Sequence, residues 1–217
     1  MKYSLNSVVV DTTSKNPPKN VIVLCHGYGG DGKDISIVAH YWKAFLKDTL
    51  FICPDAPELC KVSTQGFQWF DLTDQTDDEI LSKSLIAEKK LNKFIDEVKE
   101  KNKIQANKIA LVGFSQGSMI SLQTALKRKD KINCLIGYSG KILNPKHLEQ
   151  NIVSRPAIYL MHGDKDQIVP INFLLEAKEF FSKNNYNINT KIFFGCEHRI
   201  PTEGLSSGLE FLKKNLY

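Results

Sequence analysis

The sequence predicts an α/β fold with a mostly parallel, doubly wound sheet flanked by helices, in a single domain spanning residues 1–217. Short apolar runs alternate with longer amphipathic segments along the whole chain, which is the pattern of successive βα units. The apolar runs are continuous rather than alternating, as expected of strands that are buried on both faces of a parallel sheet. A length of 217 residues also suits one domain with one sizeable core.

Continuous apolar runs predict the strands of this sheet. The predicted parallel strands are residues 20–25, 50–53, 108–114, 133–138, 157–161 and 190–194. Residues 5–11 are predicted to add an antiparallel strand at one edge. Residues 55–76 form a long irregular connection, and long loops in compact domains often carry function.

Amphipathic segments predict the helices that cover the sheet. Residues 77–101 carry apolar residues separated by charged ones, at the spacing of a helix that lies on a sheet. Asp77 or Asp78 is the predicted N-cap of this helix. Further helices are predicted at residues 115–127, 171–183 and 203–215.

Composition excludes several classes of protein. Hydrophobic residues make up 42% of the chain and charged residues 24%, which is ordinary for a folded domain. The net charge of +5 is interpreted as solvated lysines, and no nucleic-acid partner is expected because clustered charge marks such a site. No apolar stretch suits a signal peptide or approaches the roughly 18 residues of a membrane span. We expect a cytoplasmic protein with no stable membrane insertion.

The five cysteines do not form a recognisable metal or disulfide pattern. Their number is odd and no pair has CxxC spacing, which argues against a zinc site or a disulfide framework. Cys25, Cys53 and Cys134 lie in the apolar runs and are interpreted as small buried hydrophobes. We predict no metal ion and no organic cofactor.

The strongest motif is the pentapeptide Gly113-Phe114-Ser115-Gln116-Gly117, a G-x-S-x-G. It closes an apolar run and opens a helical segment, which is the context of a nucleophile elbow. The glycines relieve crowding around a tight turn whose central residue is strained. The helix N-terminus behind the serine favours a developing oxyanion. Ser115 is therefore the predicted nucleophile.

A serine nucleophile needs a base, and the base needs an orienting acid. With this elbow the order along the chain is Ser, then Asp or Glu, then His. His198 fits this order best, because it follows a predicted strand and an acid-bearing loop precedes it. His162 directly follows another strand, and His147 lies in a polar helical stretch and is assigned to the surface.

Asp164 and Asp166 are both candidates for the acid. The spacing of the residues separates them poorly. An aspartate that directly follows a glycine, as Asp164 does, often caps a turn. That tendency favours Asp166, which lies further out on the loop.

Two backbone N–H groups are expected to form the oxyanion hole. One belongs to Gln116, the residue after the nucleophile, and the other to the glycine-rich loop at residues 26–30. His26 in this loop is a rival candidate for the base. We interpret it instead as a hydrogen-bonding residue that shapes the loop.

With these residues in place, the chain resembles the phospholipase/carboxylesterase family of α/β-hydrolases, which includes acyl-protein thioesterases. Seven motifs carry the resemblance in order and run almost end to end. They are LCHGYGGDG at 24–32, CPDAPE at 53–58, WFDL at 69–72, VGFSQGSM at 112–119, YSG at 138–140, HGDKDQIVP at 162–170 and GCEHRIP at 195–201.

The resemblance implies an α/β-hydrolase fold and a triad of Ser115, Asp166 and His198. It also implies an oxyanion hole from the backbone amides of Tyr28 and Gln116. It selects Asp166 over Asp164, which the spacing alone did not.

The chain departs from the family pattern at several positions. Tyr28, Gly30 and Ser118 stand where leucine, aspartate and glycine are usual. The backbone role of Tyr28 survives, because its side chain is not the donor. Glu197 and Arg199 flank His198 with charges that are unusual there, which alters the electrostatics around the predicted base.

These residues predict hydrolysis of acyl esters or thioesters through an acyl-enzyme. The expected substrate is a small-molecule or lipid acyl ester, or an acylated protein. Trp69 and Phe70 either wall an acyl channel or anchor their loop to the core. Homodimers occur among such relatives, which leaves a homodimer open.

Other functions remain as alternatives. Lysophospholipase activity is one of them, and hydrolysis of cyclic esters of the dienelactone type is another. Serine at the elbow disfavours the cyclic esters, because those relatives carry a cysteine there. A non-catalytic binding protein is disfavoured because no member of the triad is missing.

Overall fold

Nine strands and six α-helices follow one another in the part of the chain that the structure, a computed structural model, describes: residues 3–14, 16–73 and 76–217. The strands are β1 (Ser7–Val10), β2 (Asn20–Cys25), β3 (Thr49–Pro54), β4 (Glu58–Leu59), β5 (Phe67–Gln68), β6 (Ile109–Phe114), β7 (Cys134–Tyr138), β8 (Ala157–Gly163) and β9 (Asn189–Phe193). The helices are α1 (Gly32–Trp42), α2 (Asp77–Asn102), α3 (Gln116–Lys127), α4 (Pro145–Asn151), α5 (Asn172–Lys183) and α6 (Thr202–Leu216).

Seven of the strands form one central sheet in the order β1-β3-β2-β6-β7-β8-β9. All neighbours in it are parallel except β1, which pairs antiparallel with β3. The mostly parallel sheet and the antiparallel edge strand are both confirmed. Parallel strands all end at the same edge, so the loops that follow β2, β6, β8 and β9 meet there.

Helices cover both faces of the sheet, as the doubly wound prediction requires. On one face the core is built around Trp69, Leu91 and Phe94 under α2, α3 and α5. On the other face it is built around Trp42 and Tyr138 under α1 and α6. All five of these side chains are almost completely buried.

The predicted N-cap of α2 is wrong. Thr76 caps this helix, with its side chain accepting a hydrogen bond from the Glu79 N–H while the Glu79 carboxylate accepts one from the Thr76 N–H. This reciprocal pair is a capping box. Asp77 and Asp78 lie in the first turn, where their charge favours the positive end of the helix dipole.

Two structured pieces were not predicted. Helix α1 begins at Gly32 after a glycine-rich loop, and Asp31 caps it by accepting from the Asp34 N–H at 2.8 Å. The predicted irregular connection contains the small hairpin of β4 and β5, and its positions 74 and 75 lie outside the described residues.

All five cysteines are free and buried. The interpretation of Cys25, Cys53 and Cys134 as small buried hydrophobes is confirmed. Burial raises the pKa of the Cys25 and Cys134 thiols to about 12. Within the described ranges, no helix has the length and apolar character that a bilayer crossing requires.

The capping box predicts a difference between two neighbouring positions. Thr76→Ala should lower the free energy of unfolding by about 1 kcal/mol, because it removes the cap of the longest helix. Asp77→Ala is the matched control and should cost less, about 0.5 kcal/mol, because only a dipole interaction is lost. Urea denaturation midpoints of the two variants measure the difference, and equal costs would contradict the assignment of the cap.

Candidate active site

Ser115 lies in a strained turn between β6 and α3. Its backbone has φ 53° and ψ −119°, a positive φ that costs a serine energy. The Ser115 N–H donates to the Tyr138 carbonyl at the end of the neighbouring strand, at 2.9 Å. Such strain persists only where the surroundings over-determine the backbone, and here it holds the side chain at the carboxyl edge of the sheet, with 7% of the residue exposed.

The glycines of the motif are required by close backbone approaches. A Cβ atom on Gly113 would overlap the backbone of Gly117. A Cβ atom on Gly117 would overlap the carbonyl group of Cys25 at the end of β2. The turn can therefore close only with glycine at both positions.

Asp166 lies in the loop after β8 and is almost completely buried. Its Oδ1 accepts hydrogen bonds from the N–H groups of Ile168 (3.0 Å) and Val169 (2.8 Å). Burial acts to raise its pKa, but the bonds from Val169 and His198, with a smaller effect from the Ser139 hydroxyl, hold the pKa of Asp166 below its ordinary value. The carboxylate is therefore ionised at neutral pH.

The two candidate acids have different partners. Asp164 accepts a hydrogen bond from the Gly195 N–H at 2.6 Å and so fixes a turn in the next loop. Asp166 Oδ2 lies 2.7 Å from His198 Nδ1. The structure thus brings Asp166, and not Asp164, to the predicted base.

His198 packs against the residue that precedes the predicted nucleophile. Its ring packs on the ring of Phe114, the residue before Ser115, with 4.8 Å between the ring centroids. Its side chain is 18% exposed, whereas Glu197 and Arg199 on either side are exposed. The bond to Asp166 places the imidazole proton on Nδ1, which leaves Nε2 with a free lone pair.

His162 is a part of the site that sequence reasoning missed. It is buried at the end of β8, with Nε2 at 2.7 Å from the Val169 carbonyl and 3.3 Å from Asp166 Oδ2. Burial lowers its pKa, so the ring is neutral and donates to this loop. Its place directly before the acid-bearing loop was the available signal. His147, predicted at the surface, is half-buried and contacts Lys127 at the far end of α3.

The loop at residues 26–30 lies against the elbow, because a Cβ atom on Gly27 would lie 3.3 Å from the Ser115 Cβ. The Tyr28 N–H has no acceptor among the described residues, whereas the next N–H, of Gly29, donates to the Phe67 carbonyl at 2.9 Å. Gln116 is the first residue of α3, and N–H groups in a first turn lack a partner within the helix. Both predicted donors therefore lie near the serine without an acceptor of their own in the part of the chain that the structure describes, and Gln116 is fully buried.

His26 shapes this loop, as interpreted from the sequence. Its Nδ1 lies 2.7 Å from the Gly27 carbonyl, and its Nε2 accepts from the Ala56 N–H at 2.9 Å. Both ring nitrogens are therefore used within the scaffold. Burial lowers the pKa of His26, which agrees with a neutral ring that accepts on Nε2.

Trp69 and Phe70 are both fully buried. The Trp69 indole N–H donates to the His26 carbonyl at 3.0 Å, and its backbone N–H donates to the Gln116 side chain at 2.8 Å. The Gln116 amide nitrogen donates in turn to the Phe70 carbonyl at 2.7 Å. These contacts anchor the loop that carries Trp69 and Phe70 to the core, which is one of the two roles that the sequence left open.

Two grooves are lined by residues near Ser115. One of about 210 Å³ lies beside the loop at residues 26–30 and is lined by His26, Gly27, Tyr28, Gly30, Asp34, Ile35 and Phe114. The other, of about 310 Å³, lies beside His198 and is lined by Lys165, Gln167, Ile168, Glu197, His198 and Arg199.

Comparison with known proteins places these features in one family. A family model described as phospholipase/carboxylesterase matches residues 6–216. Acyl-protein thioesterase 1 of Saccharomyces cerevisiae is 30% identical over 219 residues, covering 92% of this chain and 94% of that protein. Esterase YpfH of Escherichia coli is 22% identical over 208 residues, covering 94% of this chain and 86% of that protein.

Solved structures show the same fold. The crystal structure of esterase PE8 superposes with a TM-score of 0.93 at 31% identity, covering 98% of this chain and 99% of that chain. Acyl-protein thioesterase 2 of Zea mays superposes with a TM-score of 0.79 at 20% identity, covering 98% and 99%. The predicted fold class is confirmed.

The two buried histidines predict a dependence of stability on pH. His26 and His162 have lowered pKa values in the folded chain, so below about pH 6.5 the unfolded chain binds protons that the folded chain does not. The free energy of unfolding should therefore fall as the pH drops from about 7 to 5, by up to about 1.4 kcal/mol per pH unit for each histidine. Asp166 does not contribute between pH 7 and 5, because its pKa is lowered in the folded chain and the ordinary pKa of an aspartate, about 4, already lies below this range.

Urea denaturation of the wild type and of His26→Asn between pH 7.5 and 5 measures this slope. Asparagine keeps a donor for the Gly27 carbonyl but cannot titrate, so the variant should show a shallower slope. An identical slope in the two proteins would show that His26 is not protonated on unfolding.

Proposed function

The chain belongs to the phospholipase/carboxylesterase family, and from that membership and the site geometry we propose that it hydrolyses carboxylic esters or thioesters through Ser115, His198 and Asp166. The observation that carries the assignment of residues is the 2.7 Å pair of His198 Nδ1 and Asp166 Oδ2 beside a serine held at positive φ. This chemistry needs only side chains and backbone amides, so it calls for no metal or organic cofactor.

In the first half of the reaction, His198 Nε2 takes the proton of the Ser115 hydroxyl as its oxygen attacks the acyl carbonyl. The carbonyl carbon becomes tetrahedral, and its oxygen becomes an oxyanion. The N–H groups of Tyr28 and Gln116 stabilise that charge, because backbone donors without a protein acceptor can bond to the oxyanion as it forms. These donors are fixed by the fold, so they need little reorganisation as the charge develops.

Acylation ends when the imidazolium of His198 gives its proton to the leaving alcohol or thiol, and the acyl group remains on Ser115 as an ester. Water then enters, His198 takes one of its protons, and the hydroxide equivalent attacks the acyl-enzyme. His198 then returns this proton to the Ser115 oxygen as the second tetrahedral intermediate collapses, which releases the carboxylic acid and restores the serine hydroxyl.

Asp166 stabilises the imidazolium that forms in each half-reaction. It can do so because it enters the reaction ionised, with Oδ1 bound to two backbone N–H groups and Oδ2 turned to His198. A carboxylate held in this way fixes both the tautomer and the orientation of the base.

The substrate is an acyl ester or an acyl thioester. The relatives named as acyl-protein thioesterases support thioesters and acylated proteins as substrates here. The relatives named as esterases support small acyl esters. The family description supports lipid esters.

Ser115→Ala should abolish hydrolysis of a chromogenic short-chain acyl ester while leaving the circular dichroism spectrum and thermal midpoint close to those of the wild type. It should also abolish covalent labelling by a fluorophosphonate, because that reagent needs an activated serine. Retention of either activity in a folded Ser115→Ala protein would exclude Ser115 as the nucleophile.

The two aspartates of one loop allow a matched test of the acid. Asp166→Asn should lower kcat by about 10³- to 10⁴-fold, because the amide fixes the wrong tautomer of His198. Asp164→Asn should keep kcat within about threefold, since the amide oxygen still accepts from the Gly195 N–H and nothing in the reaction is touched. Steady-state kinetics with the same ester decides, and the reverse order of effects would assign the role to Asp164.

A further inference from the structure

The groove beside His198 carries charges that the proposed hydrolysis does not use. Its volume of about 310 Å³ is bounded by Lys165 and Gln167 from the loop after β8 and by Glu197 and Arg199 from the loop after β9. All four of these residues are exposed. A ligand in this groove meets side chains from two loops at once.

Chemistry identifies what this groove receives. The base of a serine hydrolase returns its proton to the leaving group, so the leaving alcohol or thiol must lie next to the base. Here the base is His198, and it is the member of the proposed triad that lines the groove. The other groove borders the oxyanion loop instead. The groove of His198 is therefore the side on which the leaving group departs.

The two cations of the groove are free to bind an anion. Neither Lys165 nor Arg199 has an ion pair among the described residues, and Glu197 has none either. Their backbones are fixed at the same time. The Lys165 N–H donates to the Cys196 carbonyl at 2.9 Å, and the Arg199 N–H donates to the Glu197 carbonyl at 2.8 Å.

We propose that this groove selects acyl esters and thioesters whose leaving group carries an anion, such as a phosphate, and that Lys165 and Arg199 are the residues that determine this specificity. The inference rests on the proposed function of the same site. An arginine and a lysine on facing loops supply a planar fork and a mobile point charge, a combination suited to phosphate oxygens. Glu197 opposes them and limits the net charge of the rim to one positive charge.

The charges are exposed, and exposed pairs contribute modestly and are screened by salt. The expected effect is therefore a preference of roughly fivefold for each cation, expressed mainly in KM and weakened at high ionic strength.

A matched substrate pair tests the proposal. The compounds 1-butyrylglycerol and 1-butyrylglycerol 3-phosphate share the acyl group and the reacting oxygen, and they differ in one phosphate on the leaving group. The wild type should show a higher kcat/KM for the phosphate ester at 20 mM salt, and this preference should shrink toward unity at 500 mM salt. Equal values for the two esters at low salt would overturn the inference.

Removing a cation of the groove and removing its carboxylate should change the ratio of kcat/KM for the phosphate ester to kcat/KM for the neutral ester in opposite directions. Lys165→Ala and Arg199→Ala should each lower it by roughly fivefold, and Arg199→Lys should restore part of the loss. Glu197→Gln should raise it by roughly threefold, because it removes the opposing charge.

Lys129→Ala is the control for overall net charge, since it lies beyond the far end of α3, and it should leave the ratio unchanged. A ratio that is the same in wild type and in the double variant Lys165→Ala/Arg199→Ala contradicts the proposal.

A further arm separates two sources of the phosphate. The same pair with a dodecanoyl chain, presented in vesicles of a neutral phosphatidylcholine, asks whether the anion is a lipid headgroup. A preference for the phosphate ester in both pairs indicates a groove that also accepts headgroups, and a preference in the soluble pair alone indicates a small phosphorylated alcohol.

If the wild type hydrolyses the neutral ester through Ser115 but shows no preference, the inference fails and the proposed function stands. If no ester is hydrolysed, both fail.

Discussion

The contact between the first turn of α3 and the end of β2 is the constraint on which the site depends. Gly117 lies so close to the Cys25 carbonyl that no side chain fits between them, and Cys25 stands level with Gly113 in the parallel pairing of β2 with β6. This approach forces Ser115 into its positive φ and brings the loop at residues 26–30 alongside it. The strained turn at Ser115 and the position of the loop at residues 26–30 therefore both depend on this one backbone contact.

A second set of backbone contacts positions the proposed base and acid, which are 32 residues apart in the chain. The loops after β8 and β9 are linked by hydrogen bonds from the Asp164 N–H to the Phe193 carbonyl at 3.1 Å and from the Lys165 N–H to the Cys196 carbonyl at 2.9 Å. A Cβ atom on Gly163 would overlap the Cys196 carbonyl, so this set of contacts also requires a glycine. Because main-chain contacts join the loops that carry Asp166 and His198, the relative position of these two residues is set before any substrate binds.

The parts of this arrangement that follow from sequence are those that a pattern determines locally. The continuous apolar run of β2 predicts a buried strand, and G-x-S-x-G between a strand and a helix predicts the elbow. Asp164 and Asp166 differ by two positions on one loop, and only the path of the backbone decides which of them faces His198. Trp69 presents the same apolar ring to a core as to a ligand, so its residue type could not reveal that it is fully buried. The sequence did not identify the N-cap of α2, because Thr76 and the two aspartates after it are all good capping residues.

All five cysteine thiols are buried, so the native chain should react slowly with thiol reagents. Alkylation and disulfide exchange need a thiolate that the reagent can reach, and burial denies both access and ionisation at Cys25 and Cys134. These two lie in central strands of the sheet, so their exposure requires the opening of the core rather than the fraying of a loop. The rate at which these two thiols react with an added reagent in native buffer should therefore report the rate or extent of global unfolding.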